Sequence, residues 1–521
     1  MRMTASMRSR LKPNARAAAA LLAAALLTGC AVSPEPIAPA EHAAQARADR
    51  AHLFDGQEPV TQAITLEEAV ARAIRYNLDH RLALMERVMQ DSQLGLANID
   101  LLPRLAASAG YTLRNNVNAS SSRSILSGQQ SLEPSTSQDR GRGSADLTFT
   151  WNVLDFGLSY FQAKQQADRV LVTEERRRRV LNNVVQEVRS AFWQAASAEQ
   201  RMPAIDRVLA EAETALANAQ KVEEEKLRPL VDILQYQKGL LELTRQLRAL
   251  KTDLMLARAR LAALMNIKPD QPYTLVLPAE EAVRPPRLEA DLERLELTAL
   301  FNRPELREER YQARINRQEA RKALIRMLPA LSFTGSANWD SNSFLVNETW
   351  AEAGARATLN LIGLVSGPRG LKVAEAQQAV GDVRRRAMTM AVLTQVNVAY
   401  HQYRRSQEEF EDAVRLDRIE QRIFQTVSAG QDSQARSELD RIRSSTTAIA
   451  AQLQRDRSLA EMQTALGNVY ASLGADPVAE LSDGADLKSL VEAVRTVQES
   501  WQRGELPALP PEAPVADVPT P

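Results

Sequence analysis

One cysteine stands in 521 residues, so the chain carries no disulfide framework and no multi-cysteine metal site. Glycine is scarce at 20 residues and aromatics make up 5%, which argues against a large β-sandwich or a chain that is barrel throughout. Neither charge sign dominates. Lys and Arg number 65 and so do Asp and Glu, which gives no electrostatic reason to expect nucleic acid. The four histidines, His42, His52, His80 and His401, lack metal-ligand spacing. No G-x-S-x-G elbow, phosphate loop or second thiol accompanies them, so the expectation is no enzyme, no metal and no cofactor. His401, beside Tyr400 and Tyr403, reads as a packing residue. What is present, 44% hydrophobic and 25% charged residues, is a globular composition. Its length alone suggests three or four domains at about 150 residues each.

Long apolar runs are missing as well. Arg2, Arg8, Arg10, Lys12 and Arg16 form a basic leader, followed by the eleven Ala and Leu residues from Ala17 to Leu27. That run suits a signal-peptide core and falls short of the ~20 residues that span a bilayer. Leu27-Thr28-Gly29-Cys30 resembles a bacterial lipobox. It predicts cleavage of a signal peptide at residues 1–29 and lipidation of Cys30, the only cysteine standing where a lipobox requires one. By the lipoprotein sorting rule, Ala31 points to the outer membrane. An ordinary signal peptide with an incidental cysteine is the competing reading. Removing the leader leaves 60 basic against 65 acidic residues, so the mature chain is acidic. No other stretch approaches the ~18 apolar residues of a membrane helix. Any membrane crossing must therefore be made by β-strands, because lipid tolerates only helices and closed barrels.

The chain repeats itself. Leu102-Pro103 and Leu328-Pro329 each end a charged, helix-patterned segment, and after each the pattern switches to period two. Leu105, Ala107, Ala109, Tyr111 and Leu113 alternate with small or polar residues, as do Leu331, Phe333, Gly335, Ala337 and Trp339. A polar loop follows in each copy, then a second alternating strand. Leu147, Phe149, Trp151 and Val153 oppose Asp146, Thr148, Thr150 and Asn152. Their counterparts Ala355, Ala357, Leu359 and Leu361 oppose Arg356, Thr358 and Asn360. Strands of about ten residues suit a tilted membrane crossing. Four of them cannot close a barrel, since the smallest has about eight. Either the hairpins are soluble or several chains share one barrel.

Long helices are expected after each hairpin, from Gly157 to about Glu225 and from about Gly370 to Ala429, each approaching ~90–100 Å at 1.5 Å per residue. Shorter helices return near Pro229–Asn266 and Ala435–Leu473. In the first of these, Ile233, Leu240, Leu247, Leu254 and Leu261 recur every seven residues, with Tyr236, Leu243, Leu250, Ala257 and Leu264 between them. This is a coiled-coil seam. The second holds Leu439, Ile442, Thr446, Ile449 and Leu453, then shifts by one residue into Leu459, Met462, Leu466, Val469 and Leu473. The offset between copies is 226 residues at Leu-Pro and 208 from Asn152/Asn360 onward, which identifies a duplication.

Together these features resemble the TolC-like outer membrane factors, in the lipoprotein subtype. The carriers are Leu66-Glu67-Glu68-Ala69 with Asn77, Asn302-Arg303-Pro304-Glu305-Leu306, the two Leu-Pro junctions, and Asn152-Val153-Leu154-Asp155-Phe156-Gly157 at a strand-to-helix junction. The resemblance runs from Leu66 to Gly474. It implies a mainly α fold with a small membrane β contribution: a homotrimer whose twelve strands close one barrel, continued by an α-helical periplasmic tunnel. Leu147, Phe149, Trp151, Phe333 and Trp339 are expected on the lipid side, and Thr148, Asn152, Thr334 and Asn338 on the water side. The implied divisions are a lipidated segment at 30–65, a first repeat at 66–267 with its hairpin at 104–154, an equatorial linker at 268–296, and a second repeat at 297–474 with its hairpin at 330–362. An equatorial segment at 475–501 and a disordered Pro-rich tail at 502–521 follow.

In this family acidic rings narrow the periplasmic tip. The carry-over gives Asp232 in the first copy and Glu438 and Asp440 in the second, with Asp432 in the turn. A solvated charge on a coiled-coil flank is the competing reading for each. Lys226-Leu227-Arg228-Pro229 lacks the usual turn glycine that Ala429-Gly430 keeps. Arg176–Arg179 and Arg384–Arg386 are expected on a solvated or equatorial helix face. The implied function is a passive exit duct for small molecules in the outer membrane, working with an inner-membrane transporter and a periplasmic adaptor protein. A type I protein-secretion duct is one alternative. A coiled-coil lipoprotein that spaces the outer membrane from the cell wall is another, but such a spacer needs no lipid-facing strands.

Overall fold

The computed structural model describes residues 34–131, 133–225, 229–268, 271–276, 288, 291–432, 438–478, 484–507 and 509. Cys30 with its lipobox, the turn residues Lys226, Leu227 and Arg228, residues 433–437 including Arg436 and Ser437, and most of the Pro-rich tail lie outside these. Residues up to Glu58 form a unit of their own, whose described part holds helix α1 (Pro39–His52) with no buried residue.

The second unit contains the duplication. Its first copy runs α2 (Leu66–Tyr76), α3 (Leu78–Ile99), β1 (Arg104–Leu113), β4 (Gly141–Asn152), α4 (Val153–Glu224) and α5 (Leu230–Leu264). Between β1 and β4 lies a small ribbon of β2 (Ala119–Ser120) and β3 (Ser135–Thr136). The second copy runs α6 (Leu292–Asn302), α7 (Pro304–Ile325), β5 (Ala330–Asp340), β6 (Thr349–Thr358), α8 (Leu361–Asp432) and α9 (Glu438–Ser472), and α10 (Leu487–Gln502) follows. Corresponding helices agree in length: 11 residues for α2 and α6, 22 for α3 and α7, 72 for α4 and α8, and 35 for α5 and α9. A 72-residue helix extends about 108 Å.

Local signals set the boundaries. Thr65 accepts from the Glu68 amide at 3.2 Å, with Glu67 and Glu68 in the first turn of α2. Asn77 ends α2 and caps α3, accepting from the Asp79 and His80 amides at 3.0 and 3.2 Å. Asn152 accepts from Leu154 and Asp155 at 2.9 and 3.3 Å, and Asn360 accepts from Gly363 at 3.1 Å. Both asparagines cap the long helices: Asn152 does so while ending β4, at its expected strand position, whereas Asn360 lies past the end of β6 and departs from it. β6 stops at Thr358, Leu359 lies between elements, and Leu361 opens α8. Helix α8 thus begins nine residues before Gly370 and accommodates Pro368, as α4 accommodates Pro203. A helical φ suits proline, and only one ladder hydrogen bond is lost at each. Beside Pro368, Gly367 lies against the Met327 side chain, which a Cβ there would force to move.

The strands form one antiparallel sheet in the order β1-β4-β5-β6. Three cores lie along the helices. The first joins α2, the middle of α4, the end of α5 and α10 through Val70, Val184, Val188, Phe192, Leu261, Met265 and Leu490. The second joins α6, the middle of α8, the end of α9 and Trp501 through Leu295, Val392, Val396, Tyr403, Val469, Tyr470 and Leu473. The offset of 208 superposes them: Val184, Val188, Leu261 and Met265 map onto Val392, Val396, Val469 and Leu473. The third core is the coiled-coil seam of α4, α5 and α9, with Ile205, Ala212, Leu240, Leu247, Ile442 and Ile449 buried.

Candidate functional site

Sheet register sorts the side chains. Trp151 lies opposite Phe333, Leu147 opposite Ala337, and Phe149 opposite Gly335 on one side and Leu105 on the other. Trp339 lies opposite Ala145 and Thr349. All five expected lipid-side residues therefore share one face, because period-two alternation and a matched register add up across strands. Trp151 and Phe333 stack at 6.0 Å between centroids. This apolar face is open in the single chain, with Leu147 47% exposed and Leu105 67%. An uncovered apolar patch of this kind marks an interaction surface.

The opposite face is polar and internally bonded. Asp146 takes hydrogen bonds from Ser108 and from Thr148, the latter at 2.9 Å. Asn338 donates to Ser336 at 2.9 Å, and Ser336 donates to Glu352 at 3.3 Å. Trp350, opposite Asn338, sits on this polar face. Beyond the strands the two loops are tied together. Asn342 donates to the Ser137 carbonyl at 2.9 Å, and the Ser343 amide donates to Asp139 at 2.6 Å. Among the described residues no helix is long and apolar enough to cross a membrane.

The middle zone is ion-paired rather than bare. Arg178 reaches Asp476 at 2.6 Å and Glu175 at 2.6 Å. Burial weighs against its charge, but Asp476 and Glu175 outweigh it and raise Arg178 above its ordinary value. Glu175 itself is raised, because burial outweighs Arg178 and Arg307. Glu174 goes the other way: burial opposes, and Arg177, Arg87 and Arg178 prevail. Arg176 binds Glu308 at 2.7 Å. The counterpart cluster is looser: Arg384 lies 3.6 Å from Glu309 and is largely exposed. The packed histidine is His80, buried with Nδ1 2.7 Å from the Ile74 carbonyl, whereas His401 is exposed and meets Tyr400 edge-on.

Helix α10 straps the two copies together. Trp501 stacks on Tyr470 at 4.6 Å, its carbonyl accepts from the Tyr470 hydroxyl at 3.0 Å, and Arg189 lies over its ring at 5.5 Å. Burial pulls the Arg189 guanidinium down to about 10 against the pull of Glu67 and Tyr470. Farther along, Arg201 binds Asp456 at 2.7 Å, Arg455 binds the same carboxylate at 3.1 Å, and Arg455 also binds Asp417 at 2.9 Å. Both carboxylates are buried. This network joins α4, α9 and α8 where the α9 seam shifts between Leu453 and Leu459, and sequence reading found only the shift.

At the far end, Asp232 and Asp440 occupy the same place, the third residue of α5 and of α9. A carboxylate in a helix's first turn is favoured by the macrodipole, so each has a structural reason to be acidic. Asp232 is exposed and Asp440 half-buried. Asp432 ends α8 and Glu438 begins α9, so the structure places them at the same tip by backbone alone. Arg441 ties α9 to Glu211 of α4 at 3.1 Å. Sequence reading missed Glu223, Glu224 and Glu225, which crowd the end of α4, with Glu223 accepting from Gln237 at 2.7 Å. Three acids at a helix C-terminus oppose the macrodipole, and that was the available signal. Among the described residues no cluster of three or more His, Cys, Asp or Glu residues is placed to hold a metal.

No protein-family model and no curated protein sequence matches the chain. Solved structures do match it. The CmeC outer membrane channel of Campylobacter jejuni has a TM-score of 0.63 at 13% identity, over 87% of this chain and 95% of that one. The open-state MtrE outer membrane channel of Neisseria gonorrhoeae has 0.59 at 19% identity, over 79% and 90%. The outer-membrane channel OprN has 0.61 at 16% identity, over 79% and 90%. The chain has the fold of these channels over nearly their whole length.

Proposed function

We propose that this chain, built on the fold of outer-membrane channels, is one protomer of the exit duct of a tripartite efflux system. The observation that carries the reading is the four-stranded sheet. One face is apolar but for Thr349 near its end, the strand order leaves β1 and β6 as edges, and the sheet continues directly into two 72-residue helices. Lipid forbids open edges, so closure needs further copies, and three copies make a barrel of twelve strands. In that arrangement Leu147, Phe149, Trp151, Phe333 and Trp339 face lipid, and Thr148, Asn152, Thr334 and Asn338 face the lumen. The helices continue as a periplasmic tunnel to a tip carrying Asp232, Asp440, Asp432, Glu438 and the Glu223–Glu225 group, where threefold symmetry turns single carboxylates into rings.

Cys30, acylated, adds a lipid anchor at the outer membrane, worth about 0.8 kcal/mol per buried CH₂. Transport energy comes from an inner-membrane transporter reached through a periplasmic adaptor. The anchor weighs toward small-molecule efflux rather than protein secretion. A spacer lipoprotein would leave the apolar sheet face without a purpose. The test is conductance of the purified protein in a planar bilayer. Open channels are expected to prefer cations, and Asp232→Asn with Asp440→Asn is expected to reduce that preference. A protein that inserts and never conducts, under conditions that open the tip, sinks the reading.

A further inference from the structure

Arg189, in the middle of α4, is a buried charge without a counter-ion. It is 3% exposed, and its guanidinium lies over the Trp501 ring at 5.5 Å. Its Nε has no hydrogen-bond partner, and among the described residues no carboxylate comes within ion-pair distance of it. Glu67 favours the charge only from farther off. Other buried arginines are matched directly: Arg72 binds Glu68 at 2.8 Å, and Arg201 binds Asp456 at 2.7 Å. Burial cannot discharge Arg189, because a value of about 10 leaves it protonated at neutral pH. The Trp501 face offsets part of the lost hydration, and a full opposite charge is missing.

The groups around it are orphaned in the same sense. Gln498, 6% exposed, stands one turn before Trp501 on the inward face of α10, and its Nε2 has no partner. Gln186 stands one turn before Arg189 on α4, and its buried Oε1 has none either. A half-turn of that amide presents an N–H in its place. Both α4 side chains converge on Gly467 of α9. A Cβ there would stand 3.2 Å from Arg189 Nε and would collide with the Gln186 amide. The second copy shows the same place closed by the protein itself. The offset of 208 maps Gln186 and Arg189 onto Thr394 and Asn397. Thr394 donates to the Met390 carbonyl at 2.9 Å, and Asn397 donates to Glu296 at 2.7 Å. The first copy has the cation and the spare donors, and it lacks the carboxylate.

We propose that a small inorganic anion, chloride being the type, binds between Arg189 and Gln498 as the missing counter-ion. A fixed cation with convergent N–H donors and no carboxylate is the chemistry of an anion site. Enclosure sets the size: with both residues more than nine-tenths buried, a sugar phosphate or a nucleotide has no room. Since Gln498 and Trp501 belong to α10, the anion fastens that strap to α4 and so to the first copy. The site is independent of whether the chain conducts.

The test is thermal unfolding of the purified full chain in detergent, with chloride replaced by gluconate at constant ionic strength. Gluconate is too bulky to enter. The apparent melting temperature is expected to rise with chloride and saturate. Arg189→Met, which keeps the length and removes the charge, is expected to abolish that dependence and to be no less stable than the parent in gluconate. Gln498→Leu is the second variant, and it is expected to raise the chloride midpoint about tenfold or more, the worth of one hydrogen bond to a charge. Crystals soaked in bromide are expected to show an anomalous peak beside Arg189. An equal chloride response in the parent and Arg189→Met, or an unmoved midpoint in Gln498→Leu, overturns the site. So does a bromide-free position holding an ordered water only. A chloride-independent stability that Glu67→Gln removes also overturns it, because Glu67 is then the counter-ion.

Discussion

The two copies share one skeleton and solve its problems with different residues. Both returning helices end in a left-handed residue, Asn266 at φ 56° and Gly474 at φ 72°, separated by the same 208 residues. In the second copy glycine is required twice over. Its φ suits glycine, and a Cβ there would stand 2.6 Å from the Asn302 carbonyl. In the first copy asparagine, the residue that best tolerates this region after glycine, is enough. Junction residues differ in the same way. Asn77 donates to the Leu264 carbonyl at 3.2 Å, and Arg303 donates to the Ala471 carbonyl at 3.0 Å. The position is kept because a helix end there has orphan carbonyls to satisfy, and either donor serves. What a duplication preserves is the backbone problem, and each copy is free in how it answers.

Three substitutional tests follow this comparison. Gly474→Ala is expected to cost about 3 kcal/mol or more, since strain from a positive φ adds to a backbone clash. Asn266→Gly is expected to change stability by only a few tenths of a kcal/mol. Loss of heat-resistant oligomer on semi-denaturing gels reads both, and equal sensitivity of the two positions would break the comparison. Removing the long-helix caps is a smaller effect. Asn152→Ala and Asn360→Ala should each cost about 1 kcal/mol, read as a lowered apparent melting temperature. Similar losses would make the two strand-to-helix junctions true equivalents, and a silent Asn360→Ala would not.

The smallest effect is on acid tolerance. Glu174 is held below its ordinary value, so its contribution is present near neutrality and is lost as pH falls below about 4.5 through its lowered value. Glu175 is raised, so it favours the fold when protonated and works against it as pH rises through its raised value. The second copy carries Asp382 and Val383 at these places. Glu174→Gln should flatten the acid limb of stability against pH, and Glu175→Gln should steepen it. The same response to both would show that this pair is not what titrates.

Legibility followed the range of the cause. Alternation and heptads were readable because each reports a local face, so the five apolar strand residues, the α5 seam and the copy offset all came from spacing. Asn152 was placed on the lumen face because alternation continues smoothly through it. Strand β4 does run through it, opposite Ser332, and what spacing did not announce is its second role, capping α4 through the Leu154 and Asp155 amides. His401, expected to pack, is exposed, and His80, for which spacing suggested no packing, is buried, because burial depends on what another helix brings, here Arg177 of α4. The network of Arg201, Asp456, Arg455 and Asp417 was invisible for the same reason: its members are up to 255 residues apart.

By itself the sequence determined that the chain is duplicated, that its only membrane-compatible segments are four short strands, and that long helices follow each pair. Those are properties of periodicity, and periodicity is local. Tertiary structure alone decided which strand lies beside which, and so that the four apolar stripes merge into one face. It also decided which distant charges meet, as in the network of Arg201, Asp456, Arg455 and Asp417, because register and burial depend on partners far away along the chain.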